Sequence, residues 1–363
     1  MNILLLTAHD IAEYDDLRMF TDIGHDVFSI GAYTDPPNTD STLRPALDGP
    51  RHPELAARCI EQREKHADDP TQEWIEGQLH NIVDWAKADL HPDIIDWADV
   101  IICHHYLESW IVRQWPRIRH KRVIWRTCGQ SNARLEESMA KLHDDGLQIV
   151  RYSPKEEVAF RRLGTWAGQD ALIRFGKYPS DYGPWIGDDL VVGNVTQNMA
   201  GRGEFCGLSF WLNATQGLPV KPAGLDSEAL PNGIGKLSYP KMVEYLKHIR
   251  AYLYTGTQPA SYTLGLIEAM MTGVPVVSMG PESWWIPDLF EGPEITGLSA
   301  DPPQAWAALA KILSDESYAR VLSDTMRKRA IDLFGIETIA PQWQAFLEGA
   351  AVEFSHNRAT VTA

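Results

Sequence analysis

The residues best placed to do chemistry lie between Tyr252 and Val277, where the chain reads YLYTGTQPASYTLGLIEAMMTGVPVV. A buried strand runs into a turn of small residues, a helix is expected to start at Ser261 to Thr263, and a second strand follows Gly273-Val274-Pro275. The first amides of a helix have no intrahelical acceptor and sit at the positive end of its dipole, so such a turn is a natural seat for a diphosphate. Glu268 stands about two turns into that helix. The same residues can be read without a ligand, with Ser261 or Thr263 capping the helix and Glu268 making a local hydrogen bond. The pattern alone does not choose between these readings.

Other polar residues gather where strands of an open α/β sheet end, and ligand sites form at those carboxyl ends. His104 and His105 close the apolar run Val100 to Cys103, and Asp10 and Glu13 follow the first strand in what reads as a loop. An imidazole at His104 can hydrogen-bond a sugar or an acceptor, and the two carboxylates can hold acceptor hydroxyls. The plain alternatives are a satisfied histidine in a wall and exposed carboxylates. From Arg113 to Arg126 the basic residues Arg113, Arg117, Arg119, Lys121, Arg122 and Arg126 crowd beside Trp115 and Trp125. This run reads as a solvated helix face leading into a strand, with a track for a nucleic-acid backbone as the alternative.

These groups need a scaffold, and length and pattern define it. At 363 residues the chain exceeds one ordinary hydrophobic core, and its 44% apolar content is enough for two. A net charge of −16 disfavours long-range attraction to polyanions. Apolar runs at Asn2–Thr7, Val27–Ile30, Val100–Cys103, Val123–Trp125 and Gln148–Tyr152 read as parallel strands buried on both faces. The prolines of residues 33–96 mark an irregular loop, followed by a helix through Trp74, Ile75, Leu79, Ile82 and Trp85. A second series begins near Leu190 to Gly193 and continues at Ala251–Tyr254 and Val274–Ser278. Residues from Pro303 to Leu347 are patterned as helix.

The expected fold is α/β, two doubly wound Rossmann-like domains facing a cleft: 1–180, 181–335, a C-terminal helix at 336–355 packing back toward the first domain, and a tail at 356–363. Cys59, Cys103, Cys128 and Cys206 have no zinc spacing and read as reduced thiols. No apolar stretch approaches the roughly 20 residues of a membrane span, and the N-terminus lacks the basic flank of a signal peptide. A cytoplasmic protein is expected.

The segment from Tyr252 to Ser278 resembles the donor-binding signature of retaining GT-B glycosyltransferases, family 4 and its relatives: a small-residue turn, a helix bearing Glu-Ala-Met, then Gly-x-Pro-Val-Val. Gly24-His25-Asp26-Val27 and Asp99-Val100-Ile101-Ile102-Cys103-His104 are similar to further marks of that family. The resemblance implies sugar transfer, with retention, from a nucleotide sugar, a UDP-sugar being the expected donor. It assigns the diphosphate to the amides of Ser261, Tyr262 and Thr263, with Leu264 beside them, and the ribose to Glu268. Relatives place an Arg after a Gly at the end of the second domain's first strand; here Gly193 is followed by Asn194, and Arg202-Gly203 stands near the family's Lys-Gly. Arg202 is therefore the candidate diphosphate cation, and Lys236 resembles a residue near the nucleotide base.

Two departures stand out. The family's first Glu, eight positions before Glu268, is Ala260, and the His before Gly129 is Cys128, for which Arg126 is the proposed electrostatic substitute. No Asp-x-Asp motif stands at the donor, so neither metal nor cofactor is expected. The expected partners are a nucleotide-sugar donor and a small-molecule, glycan or lipid-linked acceptor. A hydroxymethylated DNA base is kept as an alternative acceptor, and a non-catalytic nucleotide-sugar or carbohydrate-binding protein as the reading of another class.

Overall fold

The computed structural model describes residues 1–7, 9–31, 52–65, 89–104, 108–129, 131–258, 260–279, 298–299, 301–350, 352–353 and 360–361. It divides into two compact units, Met1–Gly176 with Ala340–Phe354 and Thr360–Ala363, and Lys177–Ile339 with Ser355–Ala359.

The first unit runs β1 (Asn2–Leu6), α1 (Asp10–Asp22), β2 (Asp26–Ile30), α2 (Pro53–Lys65), α3 (Pro92–Trp97), β3 (Val100–His104), α4 (Glu108–Ile118), β4 (Arg122–Arg126), α5 (Ala133–Asp144), β5 (Gln148–Arg151), α6 (Lys155–Leu163) and β6 (Ala171–Leu172). Its strands lie in the order β2-β1-β3-β4-β5-β6, all parallel. Helices cover both faces of such a sheet, which is why β1 and β3 are unbroken apolar runs rather than alternating ones. The strand order reverses at β1 and β3, so their carboxyl ends flank the crevice where open sheets bind ligands.

The second unit runs β7 (Asp189–Val195), α7 (Met199–Arg202), α8 (Leu208–Ala214), β8 (Val220–Ala223), α9 (Tyr239–His248), β9 (Ile249–Tyr254), α10 (Leu264–Thr272), β10 (Val276–Met279), β11 (Leu298–Ser299), α11 (Pro302–Ser314) and α12 (Glu316–Phe334). The order β11-β10-β9-β7-β8 is again parallel, and it reverses between β7 and β9. A last helix, α13 (Ile336–Leu347), leads to β12 (Val352–Glu353), which pairs antiparallel with β13 (Thr360–Val361). Within the first unit Trp343 of α13 meets Phe20 edge-on at 5.1 Å, and Arg122 donates to the carbonyls of Phe346 and Leu347.

Several expectations are corrected. Pro53 opens helix α2 within the stretch read as irregular, since proline suits a first helical turn. Asp10 and Glu13 are helical because α1 begins at Asp10. The helical pattern from Pro303 resolves into two helices before the expected boundary at 335, parted at Asp315, whose side chain accepts from the amide of Tyr318 and caps α12. Strand β8 escaped the pattern because its Pro222 reads as a breaker; it is an edge strand, where proline is tolerated. The tail at 356–363 contributes β13. The helix expected through Trp74 and Trp85 lies outside the described residues.

Candidate functional site

The carboxyl ends of β7 and β9 carry the candidate donor site. Helix α10 begins at Leu264, just after the expected start at Ser261 to Thr263. Thr263 is its N-cap, extended at φ −111° and ψ 158°, with no side-chain capping bond. The Thr263 amide donates to the Tyr254 hydroxyl at 3.0 Å, so it is spent inside the protein. The amides of Leu264, Gly265 and Leu266 donate to nothing among the described residues, and Ile267 is the first to bond back, to the carbonyl of Thr263. The helix-end amides without an acceptor among the described residues are therefore those of Leu264 to Leu266, a turn beyond the Ser261 to Thr263 of the resemblance. Gly265 lets this helix end press against β7, since a Cβ there would stand 3.3 Å from the Val195 carbonyl. Ser261 and Tyr262 are buried, and the Tyr262 ring packs edge-on against Phe334 at 5.5 Å.

Arg202 ends α7, in the loop that follows β7, and so stands across the strand-order reversal from α10. Its guanidinium is half-buried and has no side-chain or carbonyl partner among the described residues. Its charge is felt at Cys206, whose thiol burial pushes up and Arg202 pulls down. The loop is built on Asn198, held in the left-handed region at φ 49°, whose side chain accepts from the Gly201 amide at 3.0 Å. Left-handed non-glycine residues cost energy and persist where the surroundings impose them. Asn198, Asp226 and Asn232 are the described cases, all in loops after β7 and β8.

The neighbouring candidates divide. Lys236 is exposed and has no partner among the described residues. Gly193 is a packing requirement, because a Cβ would stand 2.4 Å from the Tyr245 hydroxyl and 2.5 Å from Ile249 Cδ1. Asn194 is buried, its Nδ2 donating to the Leu253 carbonyl at 2.7 Å and its amide to the Tyr245 hydroxyl at 3.2 Å. Both are thus corrected from donor ligands to residues that lock β7 to β9. Glu268 is buried on α10, its Oε1 3.0 Å from Lys177 Nζ. Lys177 carried no signal in the sequence beyond its place in a Gly- and Pro-rich boundary. Its backbone pairs with the Phe334 carbonyl and the Ile336 amide, which fixes the ammonium beside α10.

In the first unit His104 ends β3 at the reversal of strand order, fully buried. Its Nε2 lies 3.1 Å from Asp16 Oδ2 on α1, a close contact not aligned as a hydrogen bond. Asp16 falls one helical turn after Glu13, a relation visible only once α1 is known to start at Asp10. Glu13 is buried rather than exposed and accepts from Ser29 Oγ at 2.5 Å. Asp10 is the first residue of α1, and His105 lies outside the described residues.

Arg126 is corrected from catalytic substitute to structural tie. Its guanidinium is fully buried, donates to the carbonyls of Arg151, Ile173 and Arg174, and lies over the rings of Phe175 and Trp343 at 4.9 and 5.3 Å. The rest of the basic run is likewise engaged. Arg113 and Arg117 pair with Asp89, Arg119 with Asp145, Lys121 with the Asp96 carbonyl, and Arg122 with Gln148. Among the described residues two carboxylates, Asp89 and Asp145, meet three of these cations, while carbonyls and the Gln148 amide hold Lys121, Arg122 and Arg126 without cancelling their charge. Among the described residues no metal-binding group of His, Cys, Asp or Glu is gathered, and no helix is long and apolar enough to cross a membrane.

No protein-family model and no curated protein matches the chain. Solved structures do. A sucrose-phosphate synthase from Thermosynechococcus elongatus superposes with a TM-score of 0.67 at 15% identity, covering 96% of this chain and 98% of that one. Anabaena HepE in complex with UDP and glucose follows at 0.61 and 13% identity, covering 96% and 100%. An alpha-glucosyltransferase in complex with UDP and a DNA containing an HMU base gives 0.57 and 10% identity, covering 96% and 99%. At these identities the likeness shows the fold, which is GT-B: two units, each a parallel sheet wrapped by helices.

Proposed function

We propose that the chain is a glycosyltransferase that moves a sugar from a UDP-sugar to an acceptor hydroxyl in the cytoplasm. The observation that carries this reading is the set of amides at Leu264, Gly265 and Leu266, across the strand-order reversal from Arg202, all without a partner among the described residues. A departing nucleoside diphosphate gains negative charge, and oriented amides with a fixed cation stabilise it without reorganising. UDP stands in the solved structures of HepE and the alpha-glucosyltransferase, which supports that donor here.

Retention and independence of metal follow the family 4 resemblance: the acceptor attacks from the face the diphosphate leaves, with helix dipole and Arg202 taking the role of a cation. Glu268 is assigned to the ribose, Lys236 to the base end, and His104 to a sugar or acceptor hydroxyl. Ala260 removes one family carboxylate from the sugar side, so sugar recognition must use other groups.

A hydroxymethylated base in DNA is a second acceptor reading, favoured by the likeness to the alpha-glucosyltransferase bound to DNA. The internally paired basic run lends it little, so any DNA affinity through that run should be weak; binding that falls steeply with added salt would support it.

The test is a thermal-shift screen against UDP, GDP, ADP and dTDP and their common sugars. A ligand at about 100 times its Kd stabilises the folded state by roughly 2.7 kcal/mol. A rise with UDP and its sugars is expected. No rise with any nucleotide sinks the reading, and binding without turnover would favour a non-catalytic nucleotide-sugar protein.

A further inference from the structure

Phe205 is 64% exposed, in a part of the second unit that is otherwise closely held. It sits in the turn Gly203–Cys206, three residues after Arg202, bracketed by Gly203 and Gly207 at φ 54° and 64°. Only glycine takes the conformation at Gly203, whose ψ is −124°. At Gly207 a Cβ would stand 3.0 Å from the side chain of Thr255, so the turn rests directly on the end of β9. Two hydrogen bonds clamp it there: the Gln258 amide donates to the Phe205 carbonyl at 2.7 Å, and Thr255 Oγ1 donates to the Cys206 carbonyl at 2.6 Å. The ring is thus held out in water by a backbone with little freedom to withdraw it.

The clamp joins Phe205 to the loop that leads into α10. Six residues after Gln258 the loop reaches Leu264, where the amides of Leu264 to Leu266 have no acceptor among the described residues, and Arg202 stands three residues before Phe205 in the chain. Glu268 lies four residues down the helix, about 6 Å along its axis from Leu264. A nucleotide whose ribose lies by Glu268 and whose diphosphate lies on the helix end directs its sugar the other way, toward the residues before the helix. Those residues include Gln258, and with it Phe205. A sugar ring offers an apolar face of C–H groups, which an aromatic ring can cover while the hydroxyls stay solvated.

We propose that Phe205 is the platform for the donor's hexose, a specificity-determining residue that distinguishes a nucleotide sugar from the bare nucleotide. This rests on the donor-site reading above. The test measures Kd for UDP and for UDP-glucose by calorimetry, with the parent, Phe205→Ala and Phe205→Tyr. Since the ring is exposed, truncation should leave folding intact, which circular dichroism and thermal melting check.

The expected result is a loss of about five-fold in UDP-glucose affinity in Phe205→Ala, UDP affinity within two-fold of the parent, and recovery in Phe205→Tyr. Equal weakening of both ligands, or of neither, overturns the assignment while leaving the donor site standing. Failure of the parent to bind UDP-glucose while it binds UDP overturns this assignment, and failure to bind any nucleotide overturns the donor-site reading with it.

Discussion

Lys177 Nζ and Glu268 Oε1 stand 3.0 Å apart with both side chains buried, so the carboxylate assigned to the ribose is already held by a cation. Removing one member of such a pair strands a charge in a low-dielectric setting, at a cost of about 3–5 kcal/mol. Lys177→Met should therefore lower the stability in urea by that order, and adding Glu268→Leu should restore most of it. A loss below about 1 kcal/mol in the single variant would show that Glu268 does not depend on Lys177.

Arg202 and Glu268 should separate kinetically. On the proposed role, Arg202→Ala removes charge stabilisation needed as the diphosphate leaves, and kcat should fall about 100-fold. Glu268→Ala should instead weaken UDP binding, by about ten-fold for one hydrogen bond to a charged group. Steady-state kinetics with calorimetric Kd values check both, and equal effects on kcat would contradict the assignment.

Gly193→Ala tests whether that position is packing or ligand. The added methyl meets the Tyr245 hydroxyl and Ile249, and overpacking of this kind costs about 1–3 kcal/mol. Stability should fall in that range while UDP affinity of the folded protein holds. Unchanged stability with lost UDP affinity would return Gly193 to the donor site.

His248 should titrate above the ordinary imidazole range. Its Nδ1 lies 2.6 Å from Asp188 and its Nε2 2.9 Å from Glu244, and only the imidazolium donates to both. The Asp188 hydrogen bond is the larger cause of the upward shift, followed by that of Glu244, and both carboxylates are lowered in turn. With its folded pKa raised, His248 contributes stability fully below about pH 6.5 and loses it as pH rises through the folded value. The carboxylates contribute above their ordinary range of about pH 4 and lose it as pH falls through their lowered values. An NMR titration should show the His248 midpoint fall in Asp188→Asn; an unmoved midpoint refutes the pairing.

Much of the fold was legible because strands buried on both faces must be apolar throughout. The runs within Asn2–Leu6, Val100–Cys103 and Ala251–Tyr254 announce themselves in this way. Edge strand β8 did not, since an edge tolerates the Pro222 that a central strand would reject. The turn before α10 was legible as a helix start from its small residues, but the position of the first free amide was not. Thr263 lost its amide to the hydroxyl of Tyr254, nine residues back, a contact no local pattern encodes.

By itself the sequence determined the α/β class and the segment in which a helix start follows a small-residue turn, because periodicity and helix-end chemistry are local properties. The tertiary structure alone decided which charges remain free. Arg126 and the cations from Arg113 to Arg122 are held by carbonyls and carboxylates from distant elements, whereas Arg202 has no such partner among the described residues. It likewise set Lys177 against Glu268, 91 residues away. Charge compensation acts through space over a few ångströms, and sequence distance carries no record of it until the strands have paired.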